Sequence, residues 1–468
     1  MKARLLAVAA VCLAGASHAA VEAPADCDVC VVGAGPAGIG AALASAAAGA
    51  RTVVLERNGF VGGTTVSAEV TDIGLFHAWR KQVIDGPCYR LVTNAMARGN
   101  CRLPDVSLQD GDRNWMVGCH KVKPRVYEQV AREALLGAGI DLRLGATVVG
   151  AEEVPGGWRL AYRRDGKLRT LVARCVVDAS GNAAVAAMAG AERVKSDDAT
   201  RQPGSYFFWL NTSGMSFDAV ALNRAQEEAV RKGELLPTDL YVSASRFVRA
   251  GGGWGVYVPL ADDSTEELRA ETNRRGEEAK ARIVGFLRRQ PGLADAAVVR
   301  SARDVGVRET YRVVGEETIT QADYLSGKLY PDSLCWSFWM IDPHDARAKA
   351  AKLIFHENGA VGAVRLGAMV PKGVRGMLVA GRAVSSDHGA NSALRVQASC
   401  MGMGQVAGVA AALAARQGRD VRRLDLSEVR AALMAMGAIV PPAAGEGLPQ
   451  ESWIVGTGPT VVMGLPSD

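Results

Sequence analysis

The sequence predicts an α/β protein with a parallel sheet and a second, inserted domain, and three observations support this prediction. A short apolar strand, a glycine-rich turn, an alanine-rich helix and a second strand follow one another over Val29–Glu56. Three further strands, separated by glycine turns, fill 142–177. A region of different character, 196–365, precedes a buried strand at Met377–Ala380 and a long helix at Ser392–Arg416. Strands that alternate with helices are typical of a parallel sheet.

The first turn has the spacing of a dinucleotide-binding loop. Residues 33–38 read Gly-Ala-Gly-Pro-Ala-Gly, which is G-x-G-x-x-G directly after a strand and before a helix. Gly33 would permit the tight turn, and Gly35 would let the backbone approach a pyrophosphate. Gly38 would allow the helix to pack closely on the strand. We therefore expect phosphate groups at this turn.

The residues around the turn strengthen this expectation. The helix N-terminus at Pro36 and Ala37 would offer free N–H groups and a positive dipole end to phosphates. Glu56 ends the second strand, where a carboxylate can accept hydrogen bonds from an adenosine ribose. A glycine-rich turn in an ordinary β–α–β unit is the alternative. A second glycine-rich loop, Arg57–Thr65, follows directly, and we expect it to contact the cofactor unless it is a flexible surface loop.

Composition excludes several classes of protein. The chain of 468 residues is long enough for two domains, and its hydrophobic share of 49% and charged share of 22% are ordinary globular values. The formal net charge is only +5, and basic residues are interspersed with acids, which argues against nucleic-acid binding. No histidine pair accompanies a cysteine pair at ligand spacing, so we predict no metal site.

Residues 1–19 have the pattern of an export signal. Lys2 and Arg4 precede the apolar run Leu5–Ala16, and Ser17-His18-Ala19 is a small-x-small cleavage site. This run is too short to span a bilayer. We predict a periplasmic or secreted protein with no stable membrane span, and a buried first helix is the alternative. An exported chain could form disulfides among its remaining cysteines, in pairings that the sequence does not fix.

The composition shifts along the chain predict its domains. We assign 27–195 to the first part of a cofactor-binding domain, 196–365 to a substrate or cap domain, 366–425 to the second part of the cofactor domain, and 426–468 to a tail.

Within these domains the pattern predicts individual elements. The strands of the three-stranded excursion are expected at Leu142–Glu153, Trp158–Arg163 and Arg169–Val177. The aromatic run Tyr206–Trp209 predicts one strand in the inserted domain, and helices are expected at 217–233 and 264–290.

Several segments resemble one protein family. Val307–Glu316 looks like the G-x-R-x-x-R-x-x-x-G stretch of the FAD-dependent oxidoreductase family, typified by bacterial proteins once labelled xanthan-lyase-like. Val370–Ser385 is similar to the most recognisable segment of that family, and Arg395–Gly408 matches the helix after it. The stretch that the family often writes as D-A-T-G-D is Asp-Ala-Ser-Gly-Asn here, at 178–182. The resemblance covers most of 28–415.

The resemblance implies a fold and a cofactor. The order of elements resembles the glutathione-reductase-type flavoprotein fold. The implied architecture is a glutathione-reductase-type FAD-binding Rossmann domain with a three-stranded excursion, plus an inserted α+β substrate or cap domain. The implied cofactor is FAD, extended along the sheet with its flavin at the carboxyl edge.

Motif and resemblance together predict the residues that contact FAD. These are Gly33, Gly35, Pro36, Ala37, Gly38, Glu56, Arg57, Gly62, Gly63, Thr64, Val148, Ala179, Ser180, Gly181, Gly381, Arg382 and Asp387. A helix beginning near Asn391 would point its positive end toward Gly381 and Arg382, where charge builds on the reduced flavin. Arg382 could neutralise the pyrophosphate or the reduced ring, or form a structural ion pair. Asp387 is placed to contact the ribityl chain.

For the substrate step we predict His388, Arg308 and Tyr311, with Arg312 and His77 as further candidates. His388 lies between the cofactor strand and the flavin-facing helix and could remove a substrate proton as hydride moves to the flavin. A hydrogen-bonded structural histidine is the alternative. Arg308 and Arg312 would share one face of a helix or a strand, so both could meet an anionic substrate or acids of the protein.

The expected function is oxidation of a small organic substrate by hydride transfer to FAD, with oxygen or an electron carrier as acceptor. The chain has no second G-x-G-x-x-G after a central strand, which disfavours a nicotinamide reductant. A flavin-dependent substrate reductase is the nearest alternative. Two further alternatives are a non-catalytic FAD-binding electron-transfer or assembly protein and a nucleotide-binding protein without flavin.

Overall fold

A computed structural model describes residues 25–346, 353–357 and 359–443. The export signal predicted over 1–19 and most of the predicted tail, 444–468, lie outside these residues. The described chain forms one seven-stranded sheet with helices packed on it, and several two-stranded sheets beside it.

The strands are short outside the central sheet. In chain order they are β1 (Cys27–Val32), β2 (Thr52–Glu56), β3 (Asp72–Ile73), β4 (His77–Ala78), β5 (Lys81–Gln82), β6 (His120–Lys121), β7 (Asp141–Leu144), β8 (Thr147–Val154), β9 (Gly157–Arg164), β10 (Lys167–Asp178), β11 (Arg193–Lys195), β12 (Gly204–Tyr206), β13 (Phe208–Leu210), β14 (Val256–Val258), β15 (Val298–Ser301), β16 (Tyr311–Val313), β17 (Ser333–Ser337), β18 (Gly362–Arg365) and β19 (Met377–Val379).

The helices vary from one turn to six. They are α1 (Pro36–Ala47), α2 (Thr64–Ser67), α3 (Pro87–Arg98), α4 (Pro124–Gly137), α5 (Ala184–Met188), α6 (Ala219–Arg231), α7 (Ala244–Arg249), α8 (Glu266–Arg288), α9 (Gln321–Ser326), α10 (His388–Leu394), α11 (Gln397–Gln417) and α12 (Leu426–Ala435).

The central sheet is parallel, as predicted, with the order β7-β2-β1-β10 and with β19 on the other side of β10. One row of apolar residues crosses all five strands in register: Leu142, Val54, Val31, Val177 and Leu378. Continuous apolar strands suit a parallel sheet because helices cover both of its faces. The first half of β10 pairs instead with β9, and β9 with β8, all antiparallel. This confirms the three-stranded excursion.

Helices α1 and α11 pack so closely that their backbones touch. A Cβ on Gly404 would overlap the Ala37 carbonyl oxygen, and one on Gly408 would overlap the Ala41 carbonyl oxygen. The paired positions rise together along both helices, so the helices run parallel. Only glycine permits this approach. Within the described part of the chain, α11 is the helix long and apolar enough to cross a membrane, and its residues 397–415 are buried inside the protein, as in a core helix.

A separate apolar core lies in the inserted region. It is built from buried residues between Tyr206 and Val307, and it includes faces of α6 and α8, the helices predicted at 217–233 and 264–290. Buried residues from Ile319 to Val370 pack instead into the main core with α1 and α11. The domain boundary at 365 remains a prediction. Buried residues of 319–365 pack with the cofactor-binding part of the chain.

Three predicted elements are wrong in detail. The strand expected over Leu142–Glu153 is two strands, because Gly145 turns the chain with φ +67° between β7 and β8. The aromatic strand expected at Tyr206–Trp209 is split into β12 and β13, which pair with different partners, β14 and β15. The helix expected over Ser392–Arg416 is broken into α10 and α11, because Val396 is extended, with ψ 152°. Each cysteine in the described residues is a free thiol.

Gly408→Ala should destabilise the protein, because the added methyl would overlap the Ala41 carbonyl oxygen. Overpacking of this kind costs about 1–3 kcal/mol, and we expect a loss of that size in the free energy of unfolding, measured by urea denaturation. Gly402→Ala is the matched control in the same helix. Its methyl would have nearest neighbours 3.7 Å away, so it should be neutral or stabilising. Equal stability of the two variants would contradict the close approach of α1 and α11.

Candidate active site

The glycine turn after β1 has the geometry of a phosphate cradle. Gly33 adopts φ +102°, and a Cβ on it would come within 2.5 Å of the Ala179 carbonyl oxygen. A Cβ on Gly38 would overlap the preceding turn. Gly35 is different, because the nearest atom to its Cβ would be the Gly63 Cα, at 3.9 Å. Neighbouring protein atoms do not require a glycine at 35, so the space beside it can receive a ligand.

Among the helices that begin without a side-chain cap are α1 and α11. α1 starts at Pro36, and its N-cap residue Gly35 has no side chain that could accept the first N–H groups. α11 starts at Gln397, and its N-cap residue Val396 is apolar. Such N-termini carry free N–H donors and the positive end of the helix dipole. They suit a phosphate group or the negatively charged edge of a reduced ring.

The carboxylate of Glu56 is buried at the end of β2. Its Oε2 accepts the Ala34 N–H at 2.6 Å and its Oε1 accepts the Asn58 N–H at 2.7 Å. Burial raises the pKa of Glu56, although these two backbone hydrogen bonds oppose the rise. Each carboxylate oxygen can accept a second hydrogen bond, so ribose hydroxyls can still be bound.

Asp263 of the inserted domain joins two arginines that were predicted to contact the cofactor. Its Oδ2 lies 3.2 Å from Arg57 Nη2, and its Oδ1 accepts from Arg382 Nη2 at 2.5 Å. Arg382 also donates through Nε to the Gly181 carbonyl oxygen at 2.7 Å and through Nη1 to the Val307 carbonyl oxygen. The structural ion pair weighed for Arg382 is therefore present. Sequence reasoning missed Asp263.

The stretch at 178–182 forms a compact turn beside Arg382. The Ser180 hydroxyl oxygen accepts the Ala184 N–H at 3.1 Å at the start of α5. Asn182 accepts from Arg382 Nη2 at 3.0 Å and from the Thr310 hydroxyl, and it donates to the Asp263 carbonyl oxygen. Asparagine at 182 thus connects the turn to the inserted domain.

The second glycine-rich loop and the excursion also meet the cradle. Gly62 donates its N–H to the Ala34 carbonyl oxygen at 2.8 Å, which brings Gly63 and Thr64 beside the turn. Val148 lies in β8, two residues after Ala146, whose N–H donates to the Glu56 carbonyl oxygen. The structure therefore brings the predicted cofactor residues of three segments to one edge of the sheet.

Helix α10 supplies one capped end and one unpartnered acceptor. Asp387 caps the helix, accepting the Ala390 N–H and the Gln321 N–H, each at 2.7 Å. Its contact with a ribityl chain stays a prediction. Asn391 is completely buried, and its amide donates to the Arg382 carbonyl oxygen at 2.8 Å. Its Oδ1 has no partner among the described residues. A buried acceptor of this kind fits a hydrogen-bond donor of a ligand.

A connected set of polar side chains lies between the inserted domain and the α10–α11 break. We call it the polar chain. It consists of His388, Glu309, Gln202, Arg395, Asp342, His344 and Tyr257, with Arg308 beside Tyr257. Of these residues, His388 and Arg308 were predicted from the sequence.

At one end of the polar chain, His388 Nε2 lies 3.4 Å from Glu309 Oε2. Glu309 is 1% exposed and accepts from the Gln202 backbone N–H at 3.2 Å and from its side-chain amide at 3.0 Å. Burial opposes ionisation, but the interactions with His388 and Gln202 outweigh it and lower the pKa of Glu309. The buried carboxylate is therefore ionised at neutral pH.

At the other end, the Tyr257 hydroxyl lies 2.6 Å from His344 Nδ1, and His344 Nε2 lies 3.0 Å from Asp342 Oδ2. Burial, followed by the charge of Arg308, lowers the pKa of His344 to about 4. His344 is thus neutral at pH 7. A neutral imidazole can accept the Tyr257 hydroxyl proton at Nδ1 while it donates from Nε2 to Asp342.

Two arginines occupy the middle of this region. Arg395 donates through Nη2 to Gln202 Oε1 and to the Asp342 carbonyl oxygen, each at 3.3 Å. Its Nε is buried without a partner in the described chain. Arg308 donates to the Pro203 carbonyl oxygen at 2.5 Å and to Ser205 Oγ at 2.8 Å. Burial and the charge of Arg395 lower the pKa of Arg308 to about 10.

The structure places Tyr311 and His77 elsewhere, whereas the charge of Arg312 reaches Glu309 of the polar chain. The Tyr311 ring packs against Arg193 and Lys195 of β11, at 4.1 Å and 5.1 Å from its centroid, and these described contacts do not connect it to the polar chain. Arg312 donates to the Ser386 carbonyl oxygen. His77 stacks on His120 in the region before α4, where burial lowers its pKa.

Sequence reasoning missed six members of the polar chain: Gln202, Tyr257, Glu309, Asp342, His344 and Arg395. Apart from Asp342 and His344 they come from separate segments, so no spacing in the sequence connects them. Glu309 and Arg395 lie in segments that the family resemblance singled out, and those segments could have marked them as site residues.

Comparisons with solved structures return proteins of low identity. A geranylgeranyl bacteriochlorophyll reductase-like protein from Thermoplasma acidophilum is 13% identical with a TM-score of 0.42, over 87% of this chain and 83% of that one. A flavin-dependent brominase, as a triple mutant, is 15% identical with a TM-score of 0.43, over 88% and 83%. Aklavinone-11 hydroxylase, in complex with FAD and aklavinone, is 16% identical with a TM-score of 0.31, over 41% and 40%.

No curated protein matches the sequence. A protein-family model described as "FAD dependent oxidoreductase" matches residues 28–433, which is most of the chain. The open space at Gly35, the uncapped helix N-termini and the unpartnered Asn391 Oδ1 fit such a cofactor. The chain therefore belongs to the FAD-dependent oxidoreductase family, and it is an enzyme whose cofactor is FAD.

Proposed function

We propose that this enzyme oxidises a small organic substrate by hydride transfer to FAD, after which oxygen or an electron carrier takes the electrons. The observation that carries the proposal is the polar chain, because it gathers buried and partly buried ionisable groups near the α10–α11 break, beside the uncapped N-terminus of α11. Groups of this kind, next to a cofactor site, can orient a substrate and take up the proton released during oxidation.

For the cofactor, we propose that the pyrophosphate lies against Gly35 and the N-terminus of α1, and that ribose hydroxyls meet Glu56. The open space at Gly35 and the second acceptor position on each Glu56 oxygen support these roles. Arg57 and Arg382 supply positive charge nearby. When bound, FAD supplies the ring that accepts the hydride.

For the proton, we propose that His388 acts as the base. Its side chain is 32% exposed, so it can exchange protons with solvent, and the buried carboxylate of Glu309 at 3.4 Å can stabilise the imidazolium. His388 is the first residue of α10, directly after the capping residue Asp387. The role of Tyr311 in the substrate step stays a prediction.

We also propose that the protein is exported. The basic start, the short apolar run and the small-x-small site of residues 1–19 support this proposal. Protein recovered from the periplasm or the medium should begin at about residue 20, as measured by intact mass. Recovery of the full-length chain in the cytoplasm alone would contradict export.

Gly35→Ala should separate cofactor binding from folding. The Cβ has room within the protein, so the free energy of unfolding of the apoprotein should change by less than about 0.5 kcal/mol. The same methyl would block the approach of a phosphate, and we expect FAD affinity to fall by about tenfold or more, measured by fluorescence titration. Gly137→Ala, at the end of α4 with open space around it, is the control. Unchanged FAD affinity in Gly35→Ala would refute the cradle.

The reaction is tested by the visible spectrum of the holoenzyme during anaerobic incubation with a panel of metabolites. We expect one class of compound to bleach the flavin bands. His388→Gln should keep its flavin content and slow the bleaching about 10²- to 10⁴-fold, since it lacks the base. Bleaching at the wild-type rate would exclude His388 from this role. Flavin that no metabolite reduces would favour a substrate reductase or an electron-transfer protein.

A further inference from the structure

Arg308 is a partly buried cation without a matching anion. Its partners in the described part of the chain are the Pro203 carbonyl oxygen, the Ser205 hydroxyl and the ring of Tyr257, 5.4 Å from its centroid. None of these groups carries a negative charge at neutral pH, and no described carboxylate lies within ion-pair distance of it. Burial of an unpaired ion is costly, so proteins normally supply a counter-ion.

The carboxylate that attracts Arg308, that of Asp342, already has two other partners. Asp342 lies 3.0 Å from His344 Nε2 and 3.6 Å from Arg395 Nη2. Burial, followed by the repulsion from Arg395, lowers the pKa of Arg308, and the attraction of Asp342 only partly opposes this. Glu309 is likewise occupied by Gln202 and His388. Arg308 is therefore left with one positive charge that no described carboxylate matches within ion-pair distance.

We propose that the substrate carries a carboxylate, which binds as the counter-ion of Arg308 with Arg395 as its second contact. This inference rests on the proposed function, because it names the substrate class for the same site. Arg308 uses two of its five N–H donors on neutral oxygens, and Arg395 has a free, buried Nε. Both arginines therefore retain donors for an incoming anion.

The charge favours a carboxylate over a phosphate group. The planar guanidinium fork can bind either group in a bidentate manner, so it does not distinguish them. A phosphate monoester carries a charge of about −1.5 to −2 at pH 7, which exceeds the single positive charge that Arg308 leaves unmatched. Tyr257 and Tyr241 stack with ring centroids 4.9 Å apart, so a flat apolar wall adjoins Arg308 for the organic part of the substrate.

The binding test uses simple carboxylates as probes. The FAD-loaded enzyme is titrated with sodium acetate and sodium benzoate, and the flavin absorption bands are followed. We expect a saturable shift with each acid and none with acetamide or benzamide, their neutral analogues. Arg308→Met should weaken this binding about 10- to 100-fold. Arg308→Lys should bind the acids with an affinity between those of the wild type and Arg308→Met, because lysine keeps the charge but loses the guanidinium fork.

A second measurement keeps the test independent of activity. Because Arg308 is unpaired, the Arg308→Met protein without probe should unfold at the same urea concentration as the wild type or at a higher one. Arg282→Met is the matched control in the inserted domain. Arg282 holds the buried Asp239 carboxylate at 2.7 Å and 2.9 Å, so its loss should lower the urea midpoint while leaving probe binding unchanged.

Several outcomes would overturn the inference. Equal shifts with acids and amides, or probe binding unchanged in Arg308→Met, would show that Arg308 does not receive a carboxylate. A drop in FAD affinity in Arg308→Met would instead make the cofactor phosphates its counter-ion. Failure of the proposed function looks different: the carboxylates would still shift the flavin bands, yet no metabolite would bleach them.

Discussion

The contact between α1 and α11 fixes the position of everything that surrounds the cofactor site. The two helices run parallel with touching backbones, and Gly404 and Gly408 leave no room for adjustment. Close contact of this kind gains dispersion energy from many atom pairs, and a packed core resists deformation. Since α1 continues the glycine turn and α11 begins at the break after Arg395, the two uncapped N-termini are held in one rigid frame.

The inserted domain is attached to this frame in a different way. Its own apolar core is separate from the main core. The junction between the inserted domain and the cofactor-binding part is rich in ion pairs and hydrogen bonds. Asp263 reaches the cradle, while Gln202 and Tyr257 reach the polar chain. Polar groups at a junction need partners, which makes their arrangement specific even where their net contribution to stability is small.

The cradle could be predicted from the sequence because its signals are local. The turn at 33–38, Glu56 and the parallel order of the strands all follow from short patterns, and the structure has them as predicted. Breaks inside helices and strands were harder to predict. The helix around Val396 continues its apolar pattern through the break, so periodicity gave no sign of it.

The polar chain was missed for a physical reason. Its members stand on loops and short strands that are far apart in sequence, and tertiary packing alone brings them together. His344 had no visible partner in the sequence, although it lies between Tyr257 and Asp342 in space. Arg308 could be named as a candidate, but its lack of a counter-ion is a property of the folded protein. Sites assembled from several loops are the part of a fold that local patterns describe least well.

The bridge made by Asp263 has a thermodynamic consequence. This carboxylate and the phosphates proposed for FAD have the same sign of charge and would share the same two arginines, Arg57 and Arg382. Two partners that use the same groups are coupled, and such coupling is reciprocal by necessity. The factor by which FAD binding favours the release of Asp263 from the two arginines therefore equals the factor by which that release raises the affinity for FAD. FAD occupancy and the position of the inserted domain would then be linked by a single coupling free energy.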